Sequence, residues 1–428
     1  MDMRRGALIL TLALLATACS QTSTPGPATT NPGEEVSSPV AIATAIAEQR
    51  RPETAPVPEE YQALYASLEE SLESFHGYLG EHWDGSTGST VFAAELLPAN
   101  GNRGDVLLQP ATMAGVDFYL DRLEELGVQG VTVAISFPLL RPDFPRSTEY
   151  LRFFREVAQE VRRRGLKLLV ESGPVFPDPE YSGVRVDFSG FTTETYFQAK
   201  REQLLLIARE VRPDYLSISG EPTTEKMLTG LSLSPAEYAA FAQETADAID
   251  RSTGILVGAG AGTWEDPEYI RGFVADTSLD FINMHVYPLR STNADYLLRA
   301  VETAELARAS GKKLVIGESW LYKASPVEVG KPYQEIFPRD VFSFWEPLDT
   351  RFIEAMAGLA HYQGFEYVSL FWANYFFSYL DYDETPKNLS TVELMNRANQ
   401  AASGSILAGS FSGTGQALQQ LLSTFSTH

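Results

Sequence analysis

Two glutamates stand where they could perform acid and nucleophilic chemistry together. Glu221 and Glu318 each directly follow a short, mainly apolar run that is typical of a buried strand. Two carboxyl groups about 5 Å apart suit glycoside hydrolysis with retention, in which one protonates the leaving oxygen and the other attacks the anomeric carbon. Their mutual repulsion raises the pKa of one carboxyl, so one stays protonated while the other is ionised.

The elements around these glutamates alternate in a regular way. Short apolar runs, rich in β-branched residues, are each followed by a longer amphipathic run, as in a parallel sheet covered by helices. The candidate strands are Val91–Leu97, Val131–Phe137, Lys167–Glu171, Tyr215–Gly220, Ile255–Ala261, Phe281–Val286, Lys313–Gly317 and Glu366–Trp372. Eight such units predict an α/β fold of the (β/α)8 TIM-barrel class with a single catalytic domain. A doubly wound sheet and a two-lobed binding protein are the alternatives.

In such a barrel the carboxyl ends of the strands meet at one mouth, where the functional side chains collect. Closure would bring Glu221, at the end of strand four, opposite Glu318, at the end of strand seven. We expect the other polar and aromatic residues at strand ends to bind substrate. They are Glu171, Asn283, His285, Tyr287, Trp320 and Trp372. For His285 the alternative is a buried structural histidine, and for Glu171 it is a bond to a neighbouring strand.

Four short motifs resemble a known group of enzymes. Glu221-Pro222, the run 316–320 around Glu318, His285-Val286-Tyr287 and Trp372 are similar to motifs of the clan of retaining glycoside hydrolases built on (β/α)8 barrels. The resemblance covers about residues 91–372. It implies that Glu221 is the acid/base, that Glu318 is the nucleophile, and that Trp372 floors the sugar site beside the cut bond. Endo-acting β-glycanases such as galactanases, mannanases and glucanases are the nearest comparison.

The same resemblance assigns supporting roles. Tyr287 would hydrogen-bond Glu318 and keep it ionised, and His285 would contact a sugar hydroxyl or tune Glu221. Trp320 and Trp372 are the rings expected to pack on sugar faces.

One position departs from that pattern. The residue before the acid/base is usually an asparagine that hydrogen-bonds the sugar 2-hydroxyl, but here it is Gly220. Asn283 or Asn374 could take over this contact. Without a replacement, the enzyme would be slow, and a catalytically weak carbohydrate-binding barrel is the alternative.

Composition excludes several classes of protein. The chain has 33 basic and 56 acidic residues and a net charge of −23, which opposes binding to nucleic acid. Its single cysteine cannot form an internal disulfide, and five histidines offer little for a zinc site. We therefore expect no metal and no cofactor, a polysaccharide or oligosaccharide as the partner, and a monomer.

The N-terminal segment predicts export. Arg4 and Arg5 precede an apolar run, and Cys19 follows small residues, as in a bacterial lipoprotein signal. We expect a signal peptide over 1–18, lipidation at Cys19, a Pro-rich disordered tether over 19–58 and a hydrolase-like barrel over 59–403. The tail over 404–428 would carry one short helix.

These features predict a location in the bacterial cell envelope, outside the cytoplasm, with the lipid anchor as the one membrane contact. Secretion is the outcome if Cys19 is not lipidated. The same anchor would also suit a sugar-binding lipoprotein of a transporter.

Overall fold

The chain forms a closed barrel of parallel strands. In the computed structural model, the described residues are 55–425 apart from 177–181, 276, 288–292, 329–330, 332 and 384. Within them eight strands pair in chain order and the first pairs with the last. The strands are β1 (Val91–Glu95), β2 (Gly130–Ala134), β3 (Lys167–Glu171), β4 (Tyr215–Ser217), β5 (Leu256–Gly262), β6 (Phe281–Val286), β7 (Lys313–Ser319) and β8 (Tyr367–Leu370).

This topology confirms the predicted (β/α)8 barrel. It excludes a doubly wound sheet and a two-lobed protein for the part of the chain that is described. All eight candidate strands are present, although β1, β2, β4 and β8 end two or three residues earlier than the sequence indicated, at Glu95, Ala134, Ser217 and Leu370. The early ends of β4 and β8 lie beside the mouth, where the backbone leaves the sheet before Glu221 and Trp372.

Helices surround the barrel and cover its outer face. They are α1 (Gln62–His82), α2 (Thr112–Glu125), α3 (Ser147–Arg163), α4 (Thr193–Glu210), α5 (Pro222–Thr229), α6 (Pro235–Ala248), α7 (Pro267–Ala275), α8 (Asn293–Ala309), α9 (Tyr333–Ile336), α10 (Glu346–Gln363), α11 (Thr391–Ala408) and α12 (Gly413–Phe425). Local signals set several of their ends. Thr192 caps α4 through its hydroxyl, and α10 ends at Gly364, whose φ of 70° suits a residue without a side chain.

The lower half of the barrel is filled by side chains. A separate apolar cluster joins residues of six strands and includes Tyr215, Phe281 and Tyr367. The Tyr215 and Tyr367 rings come from opposite strands, and their centroids are 5.2 Å apart. This plug closes the barrel from below, so the polar residues collect at the upper mouth.

The C-terminal segment packs on the barrel. The expected boundary at residue 404 falls inside α11, and the short helix predicted beyond it extends over Gly413–Phe425 as α12. Phe425 stacks on Phe92 of β1 at a centroid distance of 5.6 Å, and Leu418 and Leu422 are buried. Burial of these side chains contributes to the stability of the barrel.

The predicted signal peptide, Cys19 and nearly all of the predicted tether lie outside the described residues. Within the described part of the chain, none of the helices has the length and apolar character needed to cross a membrane.

Candidate active site

Glu221 and Glu318 lie close together at the barrel mouth. Glu221 immediately precedes α5, whose first residue is Pro222, and Glu318 belongs to β7. Their Oε1 and Oε2 atoms lie 2.8 Å and 3.5 Å, respectively, from the same atom, Nδ1 of His285. The two carboxylate oxygens are therefore no more than about 6 Å apart, close enough for both carboxyl groups to act on one bond.

A bulge in β7 produces this juxtaposition. Met284 pairs with Ile316, but the next residue, His285, pairs with Glu318, so Gly317 is the extra residue. A side chain at 317 would collide with the Glu171 carboxylate and the Asn283 amide. The absence of a side chain at Gly317 thus lets a third glutamate, Glu171 of β3, approach Glu221 and Glu318.

His285 lies among these three carboxylates. Its Nε2 is 3.0 Å from Glu171 Oε1, while its Nδ1 lies beside Glu221 and Glu318. The ring is buried, with 4% of its surface exposed. Burial lowers the pKa of His285, but attraction by Glu171 and Glu318 and the bonds to Glu171 and Glu221 raise it well above its ordinary value. The ring is therefore an imidazolium at neutral pH.

The imidazole also explains the glycine at position 220. A Cβ atom on Gly220 would collide with the His285 ring, so an asparagine cannot occupy this position while the ring keeps its place. The departure from the resembled motif is thus coupled to the histidine on β6. The ring fills the space beside the acid/base position and supplies a hydrogen-bond partner there.

The charges of Glu171 and Glu318 are strongly coupled. Burial raises the pKa of both carboxyls. For Glu171, the attraction and hydrogen bond of His285 and the Asn283 bond outweigh burial and lower the pKa. For Glu318, burial and repulsion by Glu171, Glu221 and Glu95 outweigh the attraction of His285, so its pKa lies well above the usual range. Of these two carboxyls, Glu171 therefore favours the ionised form and Glu318 the protonated form.

Tyr287 makes the predicted contact with Glu318. Its hydroxyl donates to Glu318 Oε2 at 3.0 Å. Burial and the nearby carboxylates raise the pKa of Tyr287 well above its ordinary value, so it remains a donor. That this bond keeps Glu318 ionised stays a prediction, since burial and the charges of Glu171, Glu221 and Glu95 raise the pKa of Glu318.

A metal ion is a second chemistry to consider here. One ligand atom from each of Glu171, His285 and Glu318 lies within 4.8 Å of the others. However, both imidazole nitrogens already lie at hydrogen-bond distance from carboxylates on opposite sides of the ring. The geometry favours a hydrogen-bonded network that shares protons.

Two buried carboxylates that the sequence did not single out anchor the backbone around Glu221. Glu265 accepts from the backbone N–H groups of Thr223, at 2.5 Å, and Gly262, at 2.8 Å. Burial and repulsion by Glu221 raise the pKa of Glu265 to about 8. The feature of the sequence that could have indicated a role for Glu265 is its position shortly after β5.

The second anchor is Glu225, one turn into α5. Lys200 bonds both of its oxygens at 2.6 Å, and Ser219 donates to Oε1 at 2.8 Å. These contacts tie α5 to the end of β4 and to α4, which fixes where Glu221 begins the helix.

The proposed replacements for the missing asparagine do not serve that role. Both N–H groups of Asn283 are used, since Nδ2 donates to Glu171 at 2.5 Å and to Ser217 at 2.9 Å, and the side chain is fully buried. Asn374 donates to Asn399 at 2.8 Å and accepts from Tyr119 at 3.4 Å, away from the two glutamates. For Glu171, the side chain is 6% exposed and bonds Asn283 and His285 of β6, across the barrel, rather than a neighbouring strand.

The two predicted tryptophans differ in their surroundings. Trp320 is 1% exposed and stacks on Tyr375, so the prediction that it is a sugar platform is wrong: the ring has no free face. Trp372 is half-buried at the end of β8 and has a φ of 55°, a strained value for a residue with a side chain. Trp264, after β5, is likewise half-buried and packs edge-on against Tyr287.

Glu95 is a further buried carboxylate at the mouth, on β1. Asn100 donates to it at 3.0 Å, and burial raises its pKa to about 7. Its charge contributes to the raised pKa of Glu318. Glutamates therefore reach this mouth from β1, β3, β4, β5 and β7.

Neither a family model nor a curated protein sequence matches this chain. Solved structures do resemble it. An exo-β-1,4-mannosidase from Opitutaceae bacterium strain TAV5 is 15% identical with a TM-score of 0.50, and the match covers 80% of this chain and 60% of that one. An endo-β-1,4-mannanase double mutant from Cellulomonas fimi is 15% identical with a TM-score of 0.43, covering 71% and 68% of the two chains.

A third structure is the catalytic domain of an endo-β-1,4-mannanase from Bacillus sp. JAMB-750. It is 13% identical with a TM-score of 0.43, and the match covers 79% of this chain and 90% of that one. At such identities a structural likeness establishes the fold alone. What the comparisons establish is that this chain shares the (β/α)8 barrel of the Opitutaceae mannosidase.

Proposed function

We propose that the protein is a retaining glycoside hydrolase that cleaves β-linked glycans through a two-glutamate double displacement. The observation that carries the proposal is the placement of Glu221 and Glu318 on one imidazole nitrogen, at 2.8 Å and 3.5 Å. The upper limit of about 6 Å between their oxygens is near the roughly 5–5.5 Å of retaining enzymes.

The first step uses the two glutamates in opposite states. Glu221, protonated, gives its proton to the leaving glycosidic oxygen while the Glu318 carboxylate attacks the anomeric carbon. The glycosidic bond breaks and a glycosyl ester forms on Glu318. In the second step Glu221, now ionised, takes a proton from water as that water attacks the anomeric carbon and releases Glu318.

Aromatic side chains supply a surface for the sugar rings. Trp264 packs on Tyr287, which contacts Phe371, which contacts Trp372, with centroid distances of 5.6 Å, 6.4 Å and 5.3 Å. Trp264, Phe371 and Trp372 are only half-buried. An arc of partly exposed rings beside two carboxylates suits the C–H faces of a β-glycan. Trp264 takes the place that the sequence assigned to Trp320.

The fold resemblance to mannan-cleaving enzymes agrees with this substrate class, and endo action on a polysaccharide is part of the proposal. We further propose that the enzyme works as a monomer at the bacterial cell surface, held by a lipid on Cys19. Treatment with globomycin, which blocks lipoprotein signal cleavage, should make the unprocessed chain accumulate in the producing cell. Unchanged processing would contradict the anchor.

Azide rescue tests the catalytic assignment. In Glu318→Ala we expect hydrolysis of an aryl β-glycoside to fall on the order of 10⁴-fold or more, as for other catalytic nucleophiles. Azide can enter the space of the lost carboxylate and form a glycosyl azide of inverted configuration. In Glu221→Ala azide should instead attack the glycosyl-enzyme and give the retained configuration.

Circular dichroism spectra matching wild type would show that both variants fold. Glu328→Gln, which alters a carboxylate outside the mouth, is the matched control and should keep its activity. Retained activity in Glu318→Ala would overturn the assignment. A folded wild type that binds but does not cleave a panel of aryl β-glycosides and β-glycans would support a carbohydrate-binding barrel instead.

A further inference from the structure

His285 uses both of its ring nitrogens at the mouth. Nε2 lies 3.0 Å from Glu171, and Nδ1 lies 2.8 Å from Glu221 and 3.5 Å from Glu318. Nε2 thus contacts Glu171, which is not one of the catalytic pair. Nδ1 lies beside both Glu221 and Glu318, which need different protonation states in the first step. This arrangement exceeds what binding a sugar hydroxyl requires.

Glu171 is built to accept the Nε2 proton. Its Oε1 also accepts from Asn283 Nδ2 at 2.5 Å, and Asn283 is held in turn by Ser217 at 2.9 Å. The attraction and hydrogen bonds at this site lower the pKa of Glu171 despite complete burial, so the carboxylate stays ionised. A carboxylate fixed on one nitrogen sets the tautomer of the ring and stabilises its protonated form.

We propose that Glu171 and His285 form a proton relay between the two catalytic carboxyls. This inference rests on the proposed function. With Nε2–H held by Glu171, the protonated Nδ1 gives its proton to Glu221 and then takes the proton of Glu318. The N–H bond breaks as the O–H bond of Glu221 forms, and the O–H bond of Glu318 breaks as the N–H bond forms again. No proton is lost or gained, and both carboxyls reach the states that the first step needs.

The raised pKa of Glu318 is what makes such a relay necessary. Left alone, the buried nucleophile would hold the proton that the general acid should carry. Three carboxyls contact the His285 ring. The other titratable groups at the mouth are Glu95 on β1, Glu265 after β5 and the hydroxyl of Tyr287, which directly follows β6. Because these groups are acidic, removing any one of them makes the mouth hold its protons less tightly. A control variant must therefore remove a nearby negative charge that does not contact the His285 ring.

Nuclear magnetic resonance of the wild-type imidazoles tests the tautomer directly. We expect ¹⁵N shifts to show His285 with Nε2 protonated in its neutral form and with a pKa above the ordinary value. The His285 signal is assigned by its loss in His285→Gln. A neutral ring that carries its proton on Nδ1 would overturn the relay, and this readout needs neither a Glu171 variant nor hydrolysis.

Glu171→Gln tests the role of the carboxylate. Removal of a charge in contact with the ring should lower the pKa of His285 by roughly 1–3 units. Glu95→Gln removes a charge from the same mouth without touching the ring, so it should move that pKa by a smaller amount. Equal shifts in the two variants, or no shift in Glu171→Gln, would contradict the relay.

Kinetics then connect the relay to the reaction. In Glu171→Gln the alkaline limb of the pH–rate profile should move to lower pH, because the protonated cluster is less stable. The rate on a substrate with a poor leaving group should fall at least tenfold more than on a 2,4-dinitrophenyl β-glycoside, which needs no acid. Equal losses on both substrates would contradict a relay to Glu221. An inactive wild type would defeat the proposed function, while the resonance data would still decide the Nε2 contact.

Discussion

Buried charge is handled differently at the periphery of the barrel and at its mouth. At the periphery, Lys200 bonds both oxygens of Glu225, and Lys323 forms ion pairs with Asp340 and Asp349. At the mouth lie five buried or half-buried carboxylates; they belong to Glu95, Glu171, Glu221, Glu265 and Glu318. Among the residues that the structure describes, no lysine or arginine forms an ion pair with any of these five.

The difference separates charges that hold the fold from charges that do chemistry. A buried lysine beside a carboxylate offsets part of the cost of burying that carboxylate and holds it in a fixed ion pair. Carboxylates without such partners keep protons to higher pH and repel one another. A cluster of such carboxylates destabilises the folded chain, and active sites are the places where proteins keep destabilising groups of this kind.

The largest expected effect comes from breaking a peripheral pair. Lys200→Met leaves Glu225 buried without its cation, and we expect the free energy of unfolding to fall by about 3–5 kcal/mol. Urea denaturation monitored by tryptophan fluorescence measures the change. The double variant Lys200→Met/Glu225→Gln should recover part of the loss, because no uncompensated charge remains. A single variant as stable as wild type would contradict the structural role of this pair.

At the mouth the same kind of substitution should act in the opposite direction. Glu318→Gln removes a carboxyl that ionises freely in the unfolded chain, whereas burial and neighbouring carboxylates raise its pKa well above the usual range in the folded chain. We therefore expect the free energy of unfolding to rise by about 1–2 kcal/mol while activity is lost. Glu328→Gln is the matched control, since Arg339 donates to that carboxylate at 2.6 Å and 2.9 Å. The control should lose about 1–3 kcal/mol, as for hydrogen bonds to charged groups. If both variants lose stability, the proposed contrast is wrong.

The sequence was sufficient to predict the barrel and the two facing glutamates. Apolar strands at regular spacing leave few ways to bury both faces of a sheet, and closure then places the ends of strands four and seven at one mouth. The Tyr287–Glu318 bond also followed, because neighbouring strand ends must meet.

What the sequence could not predict depends on close packing. The exclusion of a side chain at Gly220 comes from the position of the His285 ring, and the bulge at Gly317 shifts register by one residue. The burial of Trp320 depends on a long loop whose path spacing does not determine. Glu265 was missed because a glutamate in a loop is usually solvated, and its bonds to two backbone N–H groups appear only in three dimensions.

Glu265 gives the smallest and most specific prediction, in the pH dependence of stability. Burial and the Glu221 charge raise its pKa from 4.5 to about 8 in the folded chain. The folded state therefore binds a proton that the unfolded chain releases between these values. The stability that this proton provides is fully present below pH 4.5 and is lost as the pH rises to about 8.

Between pH 5 and 8 the free energy of unfolding of Glu265→Gln should therefore decline less than that of wild type, by at least about 1 kcal/mol, in urea titrations at each pH. Glu160→Gln is the matched control from the periphery. Arg163 and Arg164 lower the pKa of Glu160 to about 2, so its contribution is present above pH 4.5 and lost below it. The control should leave the decline between pH 5 and 8 unchanged. If the free energy of unfolding of Glu265→Gln falls as steeply as that of wild type, Glu265 is ionised in the folded state. The mouth would then bury negative charges without retaining this proton, and the contrast with the periphery would be wrong.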